Sequence, residues 1–329
     1  MKFKKGTILE LEIHDFAYGG KGIHRAETES GRYVVFVLNA IPGQIVRAKV
    51  QKKRKKYAEA RLLQVIEKSP LENEVPFQRI SGAPYISLPI QKQHEFKQTA
   101  VFDLFKKIAK IENPEALFDA FITSPNTHHY RNKMEYSFSV IRHDLDNNQE
   151  VDDFGLGFKR TGTWWKVENL DNDSGMFDEQ FEKNLHMIRI WFEKTGLSAW
   201  HPPKKEGFFR HLVVRKSFID NQLLINLVTS SSGIDQFDKE GFKNLLIDIF
   251  GNRLAGYIHS VNDDVADRAK LDQGPVLWYM VKIVLQKKYL NSTLKLACKV
   301  FSRRIQKVRR FSIPRSFNML QKTTRSKTV

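Results

Sequence analysis

The sequence contains a single cysteine, Cys298, among its 329 residues. One thiol excludes a disulfide framework within the chain and a metal site built from several cysteines. No apolar run approaches the length of a membrane span, and the charged start, residues 1–5, lacks the apolar stretch of a secretory signal. These absences predict a cytoplasmic protein without a membrane partner. Its stability must come from hydrophobic cores, for which a hydrophobic content of 41% suffices.

Acidic residues are scarce relative to basic ones. The 37 Asp and Glu face 54 Lys and Arg, which gives a formal net charge of +17 and predicts a polyanionic partner such as a nucleic acid. The imbalance is concentrated near the C-terminus, because residues 282–329 contain 14 Lys and Arg and no Asp or Glu. Residues 1–281 then hold 40 basic and 37 acidic residues, so this tail needs an explanation of its own.

Residues 1–68 show the pattern of a small β-barrel. Short β-branched runs such as Tyr33–Val37 alternate with glycine turns, of which Gly19–Gly22 is the first. Five such strands favour an oligonucleotide-binding type of barrel. The five consecutive cations at 52–56 have two interpretations, a solvated loop or an RNA-binding hairpin. The RNA-binding candidates of this segment are Lys21, Lys53 and Arg54.

A second pattern begins at His128 and continues into a strand, in which the apolar positions 136, 138 and 140 alternate with Ser137 and Ser139. The stretch 155–165 adds glycines, two cations and two tryptophans. We expect both stretches to form one nucleic-acid-facing sheet, since cations and amides at strand starts suit phosphates and base edges. The candidates are Arg131, Asn132, Lys133, Lys159, Arg160, Arg210 and Arg215; the alternative is ordinary surface cations.

Trp164 and Trp165 are candidates for stacking on unpaired RNA bases. Adjacent residues of a strand point to opposite faces, so at most one of the two can stack, and the other belongs to the core. Trp164 is the predicted stacking residue. His128, His129 and His211 lack a third ligand at metal spacing, so we expect no metal site there and interpret them as structural or RNA-contacting residues.

Taken in order, several modest motifs resemble the bacterial RNA uracil-5-methyltransferases, most closely the type that modifies 23S rRNA. They are the barrel segment, Gln93–Gln98, Tyr130–Lys133, Gly157–Arg160 and Arg210–Arg215. The resemblance implies a TRAM-like RNA-binding barrel over 1–68, a connector over 69–89 and a central α+β domain with an antiparallel RNA-contacting sheet over 90–280. The family adds a Rossmann-like domain that binds S-adenosylmethionine.

Many members of this family bind an iron–sulfur cluster through cysteines just after the TRAM domain. The corresponding connector, 69–89, contains no cysteine. Because thiolates hold such clusters, we expect none in this chain.

The chemistry of the family sets a further requirement. Uracil C5 becomes nucleophilic only when a thiolate adds to C6, and a base must then remove the C5 proton. Residues 281–329 are too few for a doubly wound nucleotide-binding domain and contain no glycine for a cofactor loop. The neighbours of Cys298 do not resemble the family's nucleophile motif. We therefore expect the Rossmann-like domain, the S-adenosylmethionine site and all catalytic residues to be missing.

The basic tail, 281–329, has two interpretations. With permissible codons, a shifted reading frame near Tyr279 or Met280 yields the Ser-Phe-x-Gln-x-Asn type of motif that precedes the family's cofactor domain. The first interpretation is therefore a chain truncated by a frameshift, with an out-of-frame, disordered tail. The alternative is a genuine RNA-binding tail that is disordered when free.

The sequence thus predicts a protein of the RNA (uracil-5-)-methyltransferase family that is catalytically incomplete and has rRNA as its partner. The alternative is an autonomous RNA-binding module that never needed catalysis.

Overall fold

The computed structural model describes residues 3–28, 31–145, 147, 149–266, 269, 276–278, 285–289 and 292–296. The chain divides into two compact units, Met1–Phe121 and Ile122–Val329, and each unit has its own main sheet.

The first unit is built on a six-stranded sheet. Its strands are β1 (Ile8–Glu12), β2 (Asp15–Phe16), β3 (Gly22–Thr28), β4 (Gly31–Leu38), β5 (Ile45–Lys53) and β6 (Tyr57–Glu67). The order is β1-β5-β6-β4-β3-β2, with β4 and β6 parallel and the other neighbours antiparallel. Alternate residues such as Val35, Val37, Val46 and Ala48 are fully buried, because every second side chain of a strand points to the same side. There is one strand more than expected, since strands flank the first glycine turn on both sides.

The connector, 69–89, is organised around the carboxylate of Glu72, whose side chain is only 3% exposed. One carboxylate oxygen accepts hydrogen bonds from the Gln44 amide at 2.7 Å and the Ser69 backbone N–H at 3.0 Å, and the other from the Ser87 hydroxyl at 2.8 Å. Burial disfavours the charged carboxylate, but these hydrogen bonds outweigh that effect and lower the pKa of Glu72. The connector is thereby tied to the barrel turn that contains Gln44.

The first helix, α1 (Ile90–Leu104), continues into a π-helical turn, Phe105–Ala109. Lys110 ends it in a left-handed conformation with φ of 58°. Phe96 packs edge-on against Phe16 of the barrel, with ring centres 5.0 Å apart. The helix therefore packs on the barrel through its partly buried aromatic face.

The second unit is built on a seven-stranded sheet. Its strands are β7 (Lys133–Asp144), β8 (Gln149–Lys159), β9 (Val167–Asn169), β10 (Phe209–Lys216), β11 (Leu223–Thr229), β12 (Leu254–Val261) and β13 (Val276–Trp278), and its helices are α2 (Glu179–Lys183), α3 (Leu185–Lys194) and α4 (Lys239–Phe250). The order is β13-β12-β11-β10-β7-β8-β9. The predicted antiparallel sheet contains one parallel pair of long neighbours, β11 and β12. They are parallel because α4 carries the chain back along the sheet between them.

Aromatic side chains fill the space between this sheet and its helices. Phe138 of β7 and Phe209 of β10 lie 5.1 and 4.6 Å from Phe192 of α3, measured between ring centres. Phe192 in turn lies 4.6 Å from Phe242 of α4. All four rings are buried, and large aromatic side chains contribute much of a core's apolar area. One face of β7 is therefore the core face.

Within 281–329, the structure describes a two-stranded antiparallel sheet of β14 (Leu285–Tyr289) and β15 (Ser292–Leu296). These two strands pair with each other in a segment that the sequence predicted to be disordered. The rest of the expected disordered tail lies outside the described residues, and so does Cys298.

Candidate nucleic-acid interface

Three strands of the second unit bring cation-bearing ends to the same end of the sheet. β7 begins at Lys133, and its neighbour β10 runs antiparallel and ends at Lys216, with Arg215 opposite Lys133. On the other side, β8 is also antiparallel to β7 and ends at Lys159. We name this part of the sheet the cationic end and define it by Arg131, Lys133, Lys159, Arg215 and Lys216. The two motifs that the sequence predicted to share one sheet lie on neighbouring strands.

Most of these cations lie on the face of the sheet that is turned away from the helices. Phe138 defines the helix-facing side of β7 through its contact with Phe192, and successive side chains of a strand point to opposite faces. Lys133 and its partner Arg215 therefore share the other face, and the same alternation assigns Lys159 to it. Several positive charges at the ends of neighbouring strands are suited to a row of phosphates.

The residues at the start of β7 differ in exposure. Arg131 is exposed, whereas Asn132 is half-buried and its carbonyl accepts a hydrogen bond from the Lys216 backbone N–H at 3.0 Å. Lys133 forms an ion pair with Glu135, and 33% of its side chain is exposed. Ion pairs near the surface contribute little stability, so Lys133 can exchange this partner for a phosphate. Arg131 and Lys133 are the accessible cations at this strand start.

The turn between β8 and β9 contains two predicted RNA-binding residues, Arg160 and Trp164, and they differ in accessibility. Arg160 donates a hydrogen bond to Glu168 at 2.8 Å, with side chains 16% and 0% exposed. The buried carboxylate of Glu168 needs the positive charge of Arg160 beside it. Arg160 therefore has a structural role, in place of the RNA contact that the sequence predicted. Trp164 is 57% exposed and stands edge-on to Trp165, which donates to Glu150 at 3.0 Å. Trp164 is thus the more accessible of the two indoles.

The expectation that Arg210 contacts RNA is wrong, because its side chain is fully buried. Its guanidinium donates to the backbone carbonyls of Asn262 at 2.5 Å and Ala266 at 3.1 Å. It also lies 4.2 Å from the ring centre of Trp200, a cation–π distance. Arg210 therefore fixes the segment that follows β12.

The barrel cations form a separate group on the first unit. Lys53 ends β5, and Arg54 lies in the short hairpin before β6; both are exposed, as are all residues of 51–56. The Tyr33 hydroxyl donates to the Arg54 carbonyl at 2.9 Å, which anchors the hairpin backbone while its side chains face solvent. Lys21 is half-buried and lies 3.6 Å from Glu59. The hairpin is the more accessible part of this group.

Asp178 organises the cationic end, and sequence reasoning missed it. Its carboxylate caps α2 by accepting from the Phe181 N–H at 3.0 Å, and it lies 2.7 Å from Lys216 Nζ and 2.6 Å from Arg253 Nη2. Burial disfavours its charge, but the hydrogen bonds from Arg253 and Lys216 outweigh burial and lower the pKa of Asp178. Only the capping position, just before a helical run, is visible in the sequence.

The histidines of the second unit have structural contacts. His129 Nε2 lies 2.9 Å from the Asp173 carboxylate, and the buried His211 lies 3.4 Å from the Ser137 hydroxyl. Among the described residues, no three His, Cys, Asp or Glu side chains are arranged to hold a metal ion. The connector also offers no thiolate for an iron–sulfur cluster. The residues present there do not fit such a cluster. In the part of the chain that the structure describes, no helix is long and apolar enough to cross a membrane.

The chain is similar to several known proteins. Residues 2–63 match the family profile of the TRAM domain. The chain is 30% identical over 296 residues to an uncharacterized RNA methyltransferase of Clostridium tetani, which covers 88% of this chain and 61% of that protein. It is 33% identical over 293 residues to one of Clostridium acetobutylicum, which covers 87% of this chain and 60% of that protein. The chain thus spans about three fifths of the length of these relatives.

A solved structure shares the fold. The tRNA (uracil-54, C5)-methyltransferase of Pyrococcus abyssi, in complex with S-adenosyl-L-homocysteine, aligns with a TM-score of 0.57 and 18% identity. The alignment covers 95% of this chain and 64% of that one. The expectation that the methyltransferase domain is missing is therefore wrong: the similarity to RNA methyltransferases continues beyond residues 1–280. The predicted absence of a cofactor site loses its support for the same reason.

Proposed function

We propose, from the homology of this chain to RNA methyltransferases over most of its length, that it acts in the S-adenosylmethionine-dependent methylation of uracil C5 in RNA. The observation that carries the proposal is the cationic end of the second unit. Neutralising phosphates there would release counterions, which is the main source of sequence-independent affinity for RNA. The TRAM match over 2–63 supports a second RNA contact, at the hairpin with Lys53 and Arg54.

The chemistry of C5 methylation defines what the RNA-binding residues must achieve. The target uridine must be held so that a thiolate reaches C6 and a base reaches the C5 proton. S-adenosylmethionine would supply the methyl group. The only thiol of the chain is Cys298, and we assign no catalytic role to the described residues. Arg131, Lys133, Lys159 and Arg215 would hold the RNA backbone, and Trp164 would stack on an unpaired base.

We infer that the substrate is rRNA rather than another structured RNA. The support is the resemblance of the motifs Tyr130–Lys133 and Gly157–Arg160 to the 23S rRNA type of enzyme. We also propose that the protein acts in the cytoplasm, where it would meet rRNA. Competition between an rRNA transcript and tRNA for the full chain tests this inference, and preferential binding of tRNA would overturn it.

The RNA-binding step is tested by charge reversal. In the full chain, Arg131→Glu with Lys133→Glu should weaken binding to an rRNA transcript and reduce the slope of log affinity against log salt by up to about 2, because two phosphate contacts are lost. Lys204→Glu with Lys205→Glu is the matched control, since these exposed lysines precede the opposite end of β10. Equal affinity and slope in wild type and the first variant would refute the assignment of this surface.

Methyl transfer is tested with labelled S-adenosylmethionine and the same transcript. Transfer to uracil C5 that Cys298→Ala abolishes would assign the nucleophile. RNA binding without any transfer would favour the second candidate, an RNA-binding module without catalysis. The observation in favour of that candidate is that every candidate residue among those described is suited to binding RNA and none to chemistry.

A further inference from the structure

The turn between β10 and β11, residues 217–222, presents two consecutive apolar side chains to solvent. Phe218 is 52% exposed and Ile219 is 46% exposed. Turns are usually built from small and polar residues, and an exposed aromatic ring contributes little to the core. The turn residues alone do not require a phenylalanine at this position.

The turn is held rigidly by hydrogen bonds. The Ser217 N–H donates to the Gln222 carbonyl at 2.9 Å, which closes the hairpin. From outside the turn, Arg253 donates to the Asn221 backbone carbonyl at 3.0 Å and to its side-chain oxygen at 3.1 Å. Asn221 has a φ of 54°, a left-handed conformation that asparagine tolerates better than most residues. A rigid turn presents its aromatic ring without a large loss of entropy on binding.

The orientation of the Phe218 ring is also set by a neighbouring charge. Lys216 Nζ lies 5.4 Å from the ring centre, within the range of a cation–π contact. The same Nζ is fixed by Asp178 at 2.7 Å, and the Lys216 side chain is only 14% exposed. The cation is therefore held beside the ring by the fold, and about half of the Phe218 residue stays open to solvent.

The turn continues directly from the cationic end. The Lys216 backbone N–H donates to the Asn132 carbonyl at 3.0 Å, and Arg215 is registered opposite Lys133. The exposed ring thus follows, within two residues, a strand end that pairs with the start of β7. An aromatic platform next to phosphate-binding cations is the arrangement by which proteins hold single-stranded nucleic acid.

We propose that Phe218 stacks on an unpaired base of an RNA strand whose phosphates contact the cationic end. This inference rests on the proposed RNA-binding function and adds a positioning contact to it. The exposed Arg131 at the neighbouring strand start favours RNA over an apolar protein partner, because a phosphate backbone would pair with this cation and an apolar groove would not. The contact would hold the strand in register by its base, whereas Arg131 and Lys133 hold it by its backbone.

The experiment compares aromatic and non-aromatic replacements in the full chain. Phe218→Leu keeps an apolar side chain but removes the π face, and Phe218→Tyr keeps the ring. With a short single-stranded RNA, Phe218→Leu should lose between about fivefold and about a hundredfold in affinity, with an unchanged salt slope, while Phe218→Tyr stays close to wild type. Ile219→Ala, the neighbouring exposed position, is the matched control and should change little. With a duplex of the same sequence, all four proteins should bind alike.

A second measurement reports stacking directly. An RNA that carries 2-aminopurine at successive positions should show fluorescence quenching at one position with wild type and Phe218→Tyr, and less with Phe218→Leu. Unchanged affinity and quenching in Phe218→Leu, together with weaker binding of Arg131→Glu with Lys133→Glu, would overturn the stacking role and leave the proposed function intact. Unchanged binding in both would refute the assignment of this surface to RNA, on which the stacking role rests. Equal losses in Phe218→Leu and Ile219→Ala would indicate a general apolar contact and would also overturn stacking.

Discussion

The buried carboxylate of Glu72 should be the main determinant of the connector's stability. It accepts short hydrogen bonds from Gln44, Ser69 and Ser87. A fourth hydrogen bond, at 3.4 Å, comes from Arg79, whose side chain is 54% exposed, so the contribution of Arg79 is screened. Glu72→Ala leaves the three donors without their acceptor, which we expect to destabilise the connector by about 3 kcal/mol at a net value of about 1 kcal/mol for each bond. Glu72→Gln keeps one carbonyl oxygen and should cost only about 1 kcal/mol.

Hydrogen exchange of connector peptides from the full chain measures this effect. All five tryptophans follow residue 121, so tryptophan fluorescence reports the second unit and serves as an internal control. In Glu72→Ala, the amides of 69–89 should exchange about a hundredfold faster than in wild type, since about 3 kcal/mol corresponds to about two decades in the opening equilibrium. The exposed Glu74 provides the control variant Glu74→Gln, which should leave exchange unchanged.

The stabilising contribution of Glu72 should depend on pH. The folded-state pKa of Glu72 is lowered from 4.5, so its contribution is fully present above that value and is lost as pH falls through the lowered pKa. The difference in exchange free energy between wild type and Glu72→Gln should therefore be largest near neutral pH and shrink in acid. Connector exchange that is equal in wild type and Glu72→Ala at neutral pH would refute the reasoning.

Two further predictions concern the second unit. Arg210→Ala removes a buried guanidinium that contacts two backbone carbonyls and Trp200. It should lower the free energy of unfolding by roughly 3 kcal/mol in a urea titration followed by tryptophan fluorescence. A loss of RNA affinity without destabilisation would contradict the structural role of Arg210. Burial raises the pKa of Glu182 from 4.5 to about 7. Wild type should therefore lose stability as pH rises through this range, whereas Glu182→Gln should not. Parallel pH profiles of stability for the two proteins would show that Glu182 does not titrate there.

The strand assignments were accessible from the sequence because they depend on local alternation. Positions 136 and 138 alternate with Ser137 and Ser139, and this period-2 pattern identifies the core face of β7 without any knowledge of its neighbours. Once β7 and β8 are taken as a hairpin, Lys133 and Lys159 must come to the same end of the sheet. Antiparallel pairing therefore makes a surface cluster predictable from two local motifs.

The misassigned arginines show where such reasoning stops. Arg210 lies at a register irregularity between Phe209 and His211, so simple alternation along β10 does not give its direction. Arg160 is held by Glu168, and the sequence does not reveal that this glutamate is fully buried. Whether an arginine serves the fold or the surface depends on such distant partners, and charge alone does not distinguish the two. The prediction that the methyltransferase domain is missing was wrong for a related reason. It was based on the lack of local motifs in residues 281–329, and the similarity to relatives over most of the chain was not visible in such motifs.

Asp178 links the stability of the second unit to the presentation of the RNA surface. The same carboxylate caps α2, fixes Lys216 beside the Phe218 ring and holds Arg253, which clamps the turn through Asn221. These contacts join residues that are up to 75 positions apart in the chain, so the turn can adopt this conformation only after the sheet and α2 have packed. The unfolded chain therefore has no preformed stacking platform, and the turn becomes ordered only when the core has formed. A carboxylate that touches no RNA would in this way control how precisely an aromatic residue meets a base, because losing it would free Lys216 and Arg253 together.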